Sequence, residues 1–259
     1  MVNITEEYLY QLYWSNKLST VDIGRIYKCT EANIRYYMRK FNISFRTPSE
    51  KLKLFYSKNI CKVTITPNLR WNKNMCYILG VTYGDGWVYR KRYNYMVGLG
   101  VVNKEFAISF MKSLNKIGLH PSMSVKIPKN NRHSKQFHII ANSRLFYEWY
   151  TGLTFRTVRA KLLNNKKFMV AFLRGFYESE GTIEHRSRNN YRITIYNTNN
   201  NLVELVECCL NNLNFKFSEY ITTHKGRKNK PLYHIGILGG NKETTRFLSL
   251  IKPCIKGGD

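Results

Sequence analysis

The chain has 259 residues, a hydrophobic fraction of 43% and a formal net charge of +26. This length suits two domains, or one small domain followed by a duplicated larger one. The 42 basic residues outnumber 16 acidic ones, and an excess of this size repels itself unless an anion balances it. The composition therefore favours nucleic acid as the partner, with an anionic membrane surface as the second candidate.

The six cysteines form no Cys-x-x-Cys pair and show no Cys/His spacing typical of zinc. No run of residues is apolar over the length that a membrane span requires. The first residues lack the basic-then-apolar pattern of a secretory signal. These features predict a reducing compartment, either a prokaryotic cytoplasm or an organellar matrix, with no membrane partner and no structural metal.

Residues 1–50 have the spacing of a small all-α domain. Ser19 and Thr30 are placed to cap two short helices, and Gly24 allows the second helix to approach the first. Such a helix pair resembles a helix-turn-helix DNA-binding unit, and a three-helix packing module without a DNA role is the alternative. In the DNA-binding interpretation, the second helix presents four side chains to the major groove: Asn33, Arg35, Tyr36 and Arg39.

Residues 51–70 are predicted to be a basic linker. Pro48 precedes this region and Pro67 lies within it, and five lysine or arginine side chains make it cationic. We expect it to lie along DNA phosphates, with Arg46 at its entrance as one further contact.

The remaining chain consists of two matching halves, residues 71–165 and 166–259. Each half begins with an apolar run that contains a glycine and ends in an acid followed by glycine, at Asp85 and at Glu180. A strand-like run then leads to an asparagine 18 residues beyond the first acid and 17 beyond the second. A histidine follows the acids by 53 and 54 residues. Four landmarks in register predict an internal repeat.

Each half has the pattern helix, two strands, helix, two strands, helix. Alternation along the strand-like runs puts apolar side chains on one sheet face and polar or basic side chains on the other. Helices are expected to cover the apolar face, which leaves the polar face free for a long anionic ligand.

The two acid-ended helices resemble the LAGLIDADG motifs of homing endonucleases, and two motifs in one chain resemble the monomeric archaeal members. The resemblance implies an α+β fold of two pseudo-symmetric αββαββα repeats whose antiparallel sheets form a saddle. An all-α helix-turn-helix domain precedes them here. It also implies a monomer that cuts both strands of a long asymmetric DNA site. An intron maturase, with its intron RNA as partner, and a non-cleaving DNA-binding regulator remain alternatives.

The resemblance further implies that Asp85 and Glu180 lie side by side as metal ligands, with the backbone carbonyls of Gly84 and Ser179. Two close carboxylates repel each other, and hard oxygen ligands suit Mg²⁺. We therefore expect two or more Mg²⁺ or Mn²⁺ ions at the DNA-bound site. The alignment surrounds the acids with Asn103 and Lys104 in the first half and with Asn197 and Thr198 in the second.

The candidate DNA contacts come from the polar sheet faces and the neighbouring loops, where major-groove base edges can be distinguished. The candidates on the sheets and loops are Tyr89, Lys91, Lys126, Gln136, His138, Arg186, Arg188, Arg192, Thr194, Tyr220, Thr222, Lys225 and Arg227. Separately from these contacts, Lys104 is expected to assist cleavage of one strand, and Arg186, Arg188 or Arg192 to assist cleavage of the other.

Overall fold

A computed structural model of the full chain describes residues 4–57, 66–127, 134–187, 190–223 and 231–255. The chain divides into two compact units, Met1–Ile65 and Thr66–Asp259. Among the described residues, no helix has both the length and the apolar character that crossing a membrane requires.

The first unit is helical. A first helix continues into a π-helical turn at Gln11–Ser15, and three more helices follow. The helix bounds are α1 Glu6–Tyr10, α2 Thr20–Ile26, α3 Glu31–Lys40 and α4 Pro48–Ser57. The segment that the sequence suggested as a linker therefore begins inside a helix.

The predicted caps of this unit form. The Ser19 hydroxyl accepts from the Asp22 backbone N–H at 3.1 Å, and the Thr30 hydroxyl accepts from the Asn33 N–H at 3.3 Å. A Cβ on Gly24 would lie 2.8 Å from the Cys29 carbonyl oxygen, so the tight turn between α2 and α3 needs a glycine there. The core contains Leu9, Leu12, Tyr13, Ile23, Ile34, Met38 and Ile43.

The second unit contains the repeat. The elements of its first half are α5 Lys73–Tyr83, β1 Trp87–Lys91, β2 Asn94–Val101, α6 Lys104–Lys116, β3 Ser122–Lys126, β4 Gln136–Asn142, α7 Arg144–Thr151 and α8 Phe155–Leu163. Those of its second half are α9 Lys166–Glu180, β5 Gly181–Ser187, β6 Asn190–Asn197, α10 Asn200–Asn212, β7 Phe217–Thr223, β8 Pro231–Ile237 and α11 Gly240–Ile251.

The two halves have the same topology. Each forms a four-stranded antiparallel sheet, in the order β1-β2-β4-β3 and β5-β6-β8-β7. The α+β fold of two αββαββα repeats is thereby confirmed, with one difference. The first half ends in two helices, α7 and α8, where the second has the single helix α11.

Each sheet has one buried face. In β2, Val97 and Leu99 are buried, and in β6 the same pattern places Ile193 and Ile195 in the core. Helices cover these faces, and two apolar clusters result, one for each repeat. Because side chains alternate along a strand, the residues between these apolar positions lie on the opposite, open face of each sheet.

Candidate functional site

The site is built on the contact between α5 and α9. A Cβ placed on Gly80 would lie 2.3 Å from the Phe172 carbonyl oxygen, and one on Gly175 would lie 2.3 Å from the Tyr77 oxygen. The two helices therefore touch through their backbones, which only glycine permits at these positions. Since both helices run from this contact toward their acidic ends, the seam brings those ends together.

Asp85 and Glu180 meet at that end. A Cβ on Gly84 would lie 2.4 Å from the Ser179 Cβ and 3.1 Å from the Glu180 Cγ. Burial, followed by the negative charge of Asp85, raises the pKa of Glu180 to about 7. Burial also raises the pKa of Asp85, although its side chain remains accessible to solvent. The two carboxylates are therefore close enough for the charge of Asp85 to oppose ionisation of Glu180.

This pair fits a divalent cation that keeps much of its water. In the described part of the chain, no group of three or more His, Cys, Asp or Glu side chains is arranged to hold a metal. Mg²⁺ binds through one or two carboxylates together with waters and substrate phosphates. The last carbonyls of a helix have no partner within the helix, so those of Gly84 and Ser179, at the ends of α5 and α9, suit further coordination.

The structure corrects the alignment of the residues around the acids. Strand pairing opposes Gly100 to His138 and Tyr196 to His234. By this register Asn197 corresponds to Val101. The counterpart of Asn103 is Asn199, and each of these two asparagines caps the helix that follows it.

A β-bulge causes the offset. The register of β5 and β6 shifts between His185 and Ser187, which adds one residue to the second hairpin. The histidine separations of 53 and 54 carry the same extra residue. The acid-to-asparagine separations of 18 and 17 are shorter, not longer, in the second half. The sequence alone therefore indicates that Asn103 and Asn197 do not correspond.

These polar residues have local structural roles as well. The Asn103 Oδ1 accepts from the Phe106 N–H at 2.9 Å, and the Asn197 Oδ1 accepts from the Asn199 N–H at 2.8 Å. Lys104 is exposed at the first position of α6, and its counterpart in α10 is Asn200 rather than Thr198. The second half therefore has no lysine at this position.

On the first sheet, the predicted DNA contacts lie on the open face. Tyr89 opposes Met96, and Lys126 opposes Gln136, all on the face opposite the apolar core. His138 lies over Gly100 and is half-buried, with its Nε2 3.3 Å from the Gln136 Oε1. Lys91, at the end of β1, is exposed on the same face.

On the second sheet, the open face is more densely filled, and one predicted contact is wrong. Thr194 has the predicted orientation, but it is fully buried and inaccessible to DNA. Arg192 extends across the sheet over Gly236 and donates to the Ser218 hydroxyl. The arginine is thus partly engaged within the sheet because Gly236 leaves room for its guanidinium.

A histidine–aromatic cluster occupies the rest of this face. His234 is buried, and its Nε2 lies 2.7 Å from the Thr222 hydroxyl. The Tyr220 ring stacks on it at 4.2 Å, and Tyr196 meets it edge-on at 4.8 Å. Tyr220 remains exposed, whereas Thr222 is half-buried.

In the first unit, α3 exposes all four predicted groove-facing residues, Asn33, Arg35, Tyr36 and Arg39. Arg46 does not fit its predicted role as a DNA contact. It is only 7% exposed, its guanidinium lies 4.0 Å from the Tyr13 ring centroid, and it donates to the Leu18 carbonyl at 3.0 Å.

Several predicted contacts lie outside the described residues. These are Arg188, Lys225 and Arg227, together with the side chain of Arg186.

A buried polar network beside the acids was missed by the sequence analysis. The Glu178 carboxylate accepts from the Tyr77 hydroxyl, from Arg174 at 3.0 Å and from the Cys254 backbone N–H at 2.7 Å. Arg174 also donates to the Ser109 hydroxyl at 3.1 Å. The i, i+4 spacing of Arg174 and Glu178 was the available signal.

Comparison with known proteins agrees with this geometry. The family model of a LAGLIDADG-like domain matches residues 167–252. An uncharacterized protein of Methanocaldococcus jannaschii is 34% identical over 192 residues, which cover 72% of this chain and 69% of that protein. The homing endonuclease I-DmoI of Desulfurococcus mucosus is 27% identical over 159 residues, or 58% of this chain and 75% of the endonuclease.

A solved structure shares the fold. The crystal structure of I-DmoI in complex with DNA and Ca is similar with a TM-score of 0.50 at 20% identity. The match covers 69% of this chain and 88% of the solved one.

Proposed function

This chain belongs to the LAGLIDADG family, and from that premise we propose that it cuts both strands of a long, asymmetric DNA site with divalent metal. The observation that carries the proposal is the meeting of Asp85 and Glu180 at the ends of two helices in backbone contact. The relationship to I-DmoI, a named homing endonuclease, supports the reaction class.

Asp85 and Glu180 would hold two or more Mg²⁺ or Mn²⁺ ions, with the Gly84 and Ser179 carbonyls as further ligands. When bound, such ions stabilise the charge that develops on the attacking and leaving oxygens of a phosphodiester. Because the pKa of Glu180 is about 7, a cation displaces a proton from its carboxyl at neutral pH. Binding should therefore tighten as the pH rises through neutrality.

The residues around the pair would act on the substrate phosphate and on water. Lys104 places an exposed ammonium at the start of α6, where it can offset phosphate charge. Asn103 uses its oxygen as a helix cap, which leaves its amide N–H groups to order water. In the second half Asn197 would have the ordering role, and the partner of Lys104 would be an arginine of β5 or β6.

DNA would lie along the open faces of both sheets, with α3 of the first unit lengthening the site. The two faces carry different side chains at equivalent positions, such as Met96 and Arg192. One monomer with two unlike halves should therefore recognise an asymmetric sequence. Readers with exposed side chains are Tyr89, Lys91, Lys126, Gln136 and Tyr220.

The test is cleavage of a DNA library of uninterrupted intron insertion sites, with Mg²⁺ or with EDTA. The wild type is compared with Asp85→Asn and Glu180→Gln. The matched control is Glu204→Gln, which removes one carboxylate charge from an exposed position of α10. We expect site-specific double-strand cuts by the wild type and the control, and binding without cuts by the two site variants.

The alternatives give different results. Specific DNA binding without cleavage by the wild type under any metal would contradict the endonuclease and favour a regulator. Stimulated splicing of an intron RNA under those conditions would favour a maturase. Equal cleavage by Glu180→Gln and the wild type would contradict the role of Glu180 as a metal ligand.

A further inference from the structure

A cationic cavity of about 490 Å³ lies at the opposite ends of the two motif helices. Its walls include the first residues of α5 and α9, part of α6 at Ser113, and the end of α11. Along the helices, at about 1.5 Å per residue, Lys73 is about 18 Å from Asp85, and Arg174, the lining residue nearest in sequence to an acid, is about 9 Å from Glu180. Neither acid is among the lining residues, so the cavity is distinct from the cleavage site.

The charge of the cavity has one sign. The cationic lining residues are Lys73, Lys166, Lys167, Arg174 and Lys252, and none of the described lining residues is acidic. The folded structure stabilises two of these positive charges. Arg174 pairs with the buried Glu178, and Lys252 follows the end of α11, where the helix dipole favours a cation.

The other three lysines lie where a positive charge destabilises the folded chain. Lys73 is the first residue of α5, and Lys166 and Lys167 are the first two of α9. The positive end of the helix dipole lies there, so cations at these positions are unfavourable. An acid stands in the first turn of α1, α2, α3, α4, α6 and α11, whereas α7, α8 and α10 have none, like α5 and α9. No ion pair engages the three lysines within the described residues, and all three are exposed.

We propose that this cavity binds the phosphodiester backbone of a second nucleic-acid strand, separate from the duplex held at the acids. Three uncompensated ammonium groups and two helix N-termini suit phosphates. The apolar wall formed by Val170, Ala171 and Leu250 suits the sugar of a nucleotide unit. The cavity volume of about 490 Å³ lies in the size range of small-ligand pockets, which suits one backbone segment rather than a whole duplex.

The test measures binding of a fluorescent single-stranded RNA to the full chain in EDTA, with excess unlabelled duplex DNA to occupy the sheet faces. The site variant is Lys166→Gln with Lys167→Gln. The control, Lys161→Gln with Lys242→Gln, removes the same charge from exposed positions that do not line the cavity. Losing two phosphate contacts should weaken binding about tenfold to thirtyfold near 0.1 M salt and reduce the salt slope by about 1.4.

We expect the control to lose less than about threefold in affinity, since it keeps the phosphate contacts. The site variant should be as thermally stable as the wild type or more so, because it removes cations from a helix N-terminus. Equal losses in both variants would overturn the proposal. If the wild type binds inorganic pyrophosphate but not the RNA strand, the site takes a small phosphate ligand and the strand proposal is wrong.

Cleavage is measured separately. Both double variants retain Asp85 and Glu180, so any DNA cutting by the wild type should persist in them. The binding assay does not depend on cleavage, so a failure of the endonuclease proposal leaves this test interpretable.

Discussion

Removing the charge of Glu180 should stabilise the metal-free protein at alkaline pH. The folded chain raises the pKa of this carboxyl from an ordinary 4.5 to about 7. Between these values the native state binds more protons than the unfolded state, so the free energy of unfolding falls as the pH rises from about 4.5 to about 7. Above that range the full cost of ionising Glu180 is present.

The size of this cost follows from the pKa. A rise from 4.5 to about 7 corresponds to about 3 kcal/mol in the free energy of unfolding. Solvent reaches part of the carboxylate, so screening should reduce the measured value to about 1–2 kcal/mol. For a unit of this size that equals a shift in Tm of about 2–8 °C.

The assay is thermal unfolding of the wild type and of Glu180→Gln in EDTA at pH 5 and pH 8. Glu204→Gln is the control, because it removes a carboxylate charge from an exposed position of α10, outside the site. We expect the Glu180 variant to exceed the wild type in Tm at pH 8 and to match it at pH 5. Mg²⁺ should raise the Tm of the wild type at pH 8 but not that of the variant. The same pH dependence for both proteins would refute the reasoning.

Three further predictions concern the packing that positions the site. Gly80→Ala should push α5 and α9 apart, lower the free energy of unfolding by about 1–3 kcal/mol and abolish cleavage. The control is Gly152→Ala, at a helical position where an added Cβ has no contact shorter than 3.2 Å; it should change the free energy of unfolding by less than about 1 kcal/mol. Denaturant titration measures both changes. Glu178→Gln leaves the half-buried Arg174 guanidinium without its carboxylate and should cost about 1–3 kcal/mol in the same titration, and an unchanged midpoint would contradict the ion pair. Arg46→Ala should destabilise the first unit by about 1–3 kcal/mol, because it loses the stacking on Tyr13 and a hydrogen bond. Arg39→Ala should instead weaken DNA binding and leave the Tm unchanged. Calorimetry measures the first effect and a binding titration the second.

The features that sequence predicted well are those set by local chemistry. The caps at Ser19 and Thr30, the glycines of the motif helices and the two terminal acids each require one residue type at one spacing. A duplicated sequence then constrains its own interpretation, because a feature found in one half predicts the same feature in the other. The order of helices and strands followed from this repetition.

Burial of individual polar residues was not predictable in this way. Thr194 alternates correctly with Ile193 and Ile195, yet its accessibility depends on the side chains that cover it from neighbouring strands. Arg46 is buried because Tyr13, 33 residues earlier, provides a ring for it to stack on. Such contacts depend on tertiary structure, and no periodicity within one strand or helix encodes them.

The charges on the two motif helices oppose the helix dipole at both ends. Asp85 and Glu180 lie at the negative ends of α5 and α9, and three lysines lie at the positive ends. A folded chain gains nothing from either arrangement, and at the acidic end burial and the charge of Asp85 further oppose ionisation by raising the pKa of Glu180 to about 7. Ligands of opposite charge at each end, cations at one and phosphates at the other, would reverse both penalties. The helix pair that fixes the distance between the acids would then also join two separate nucleic-acid contacts through one rigid element.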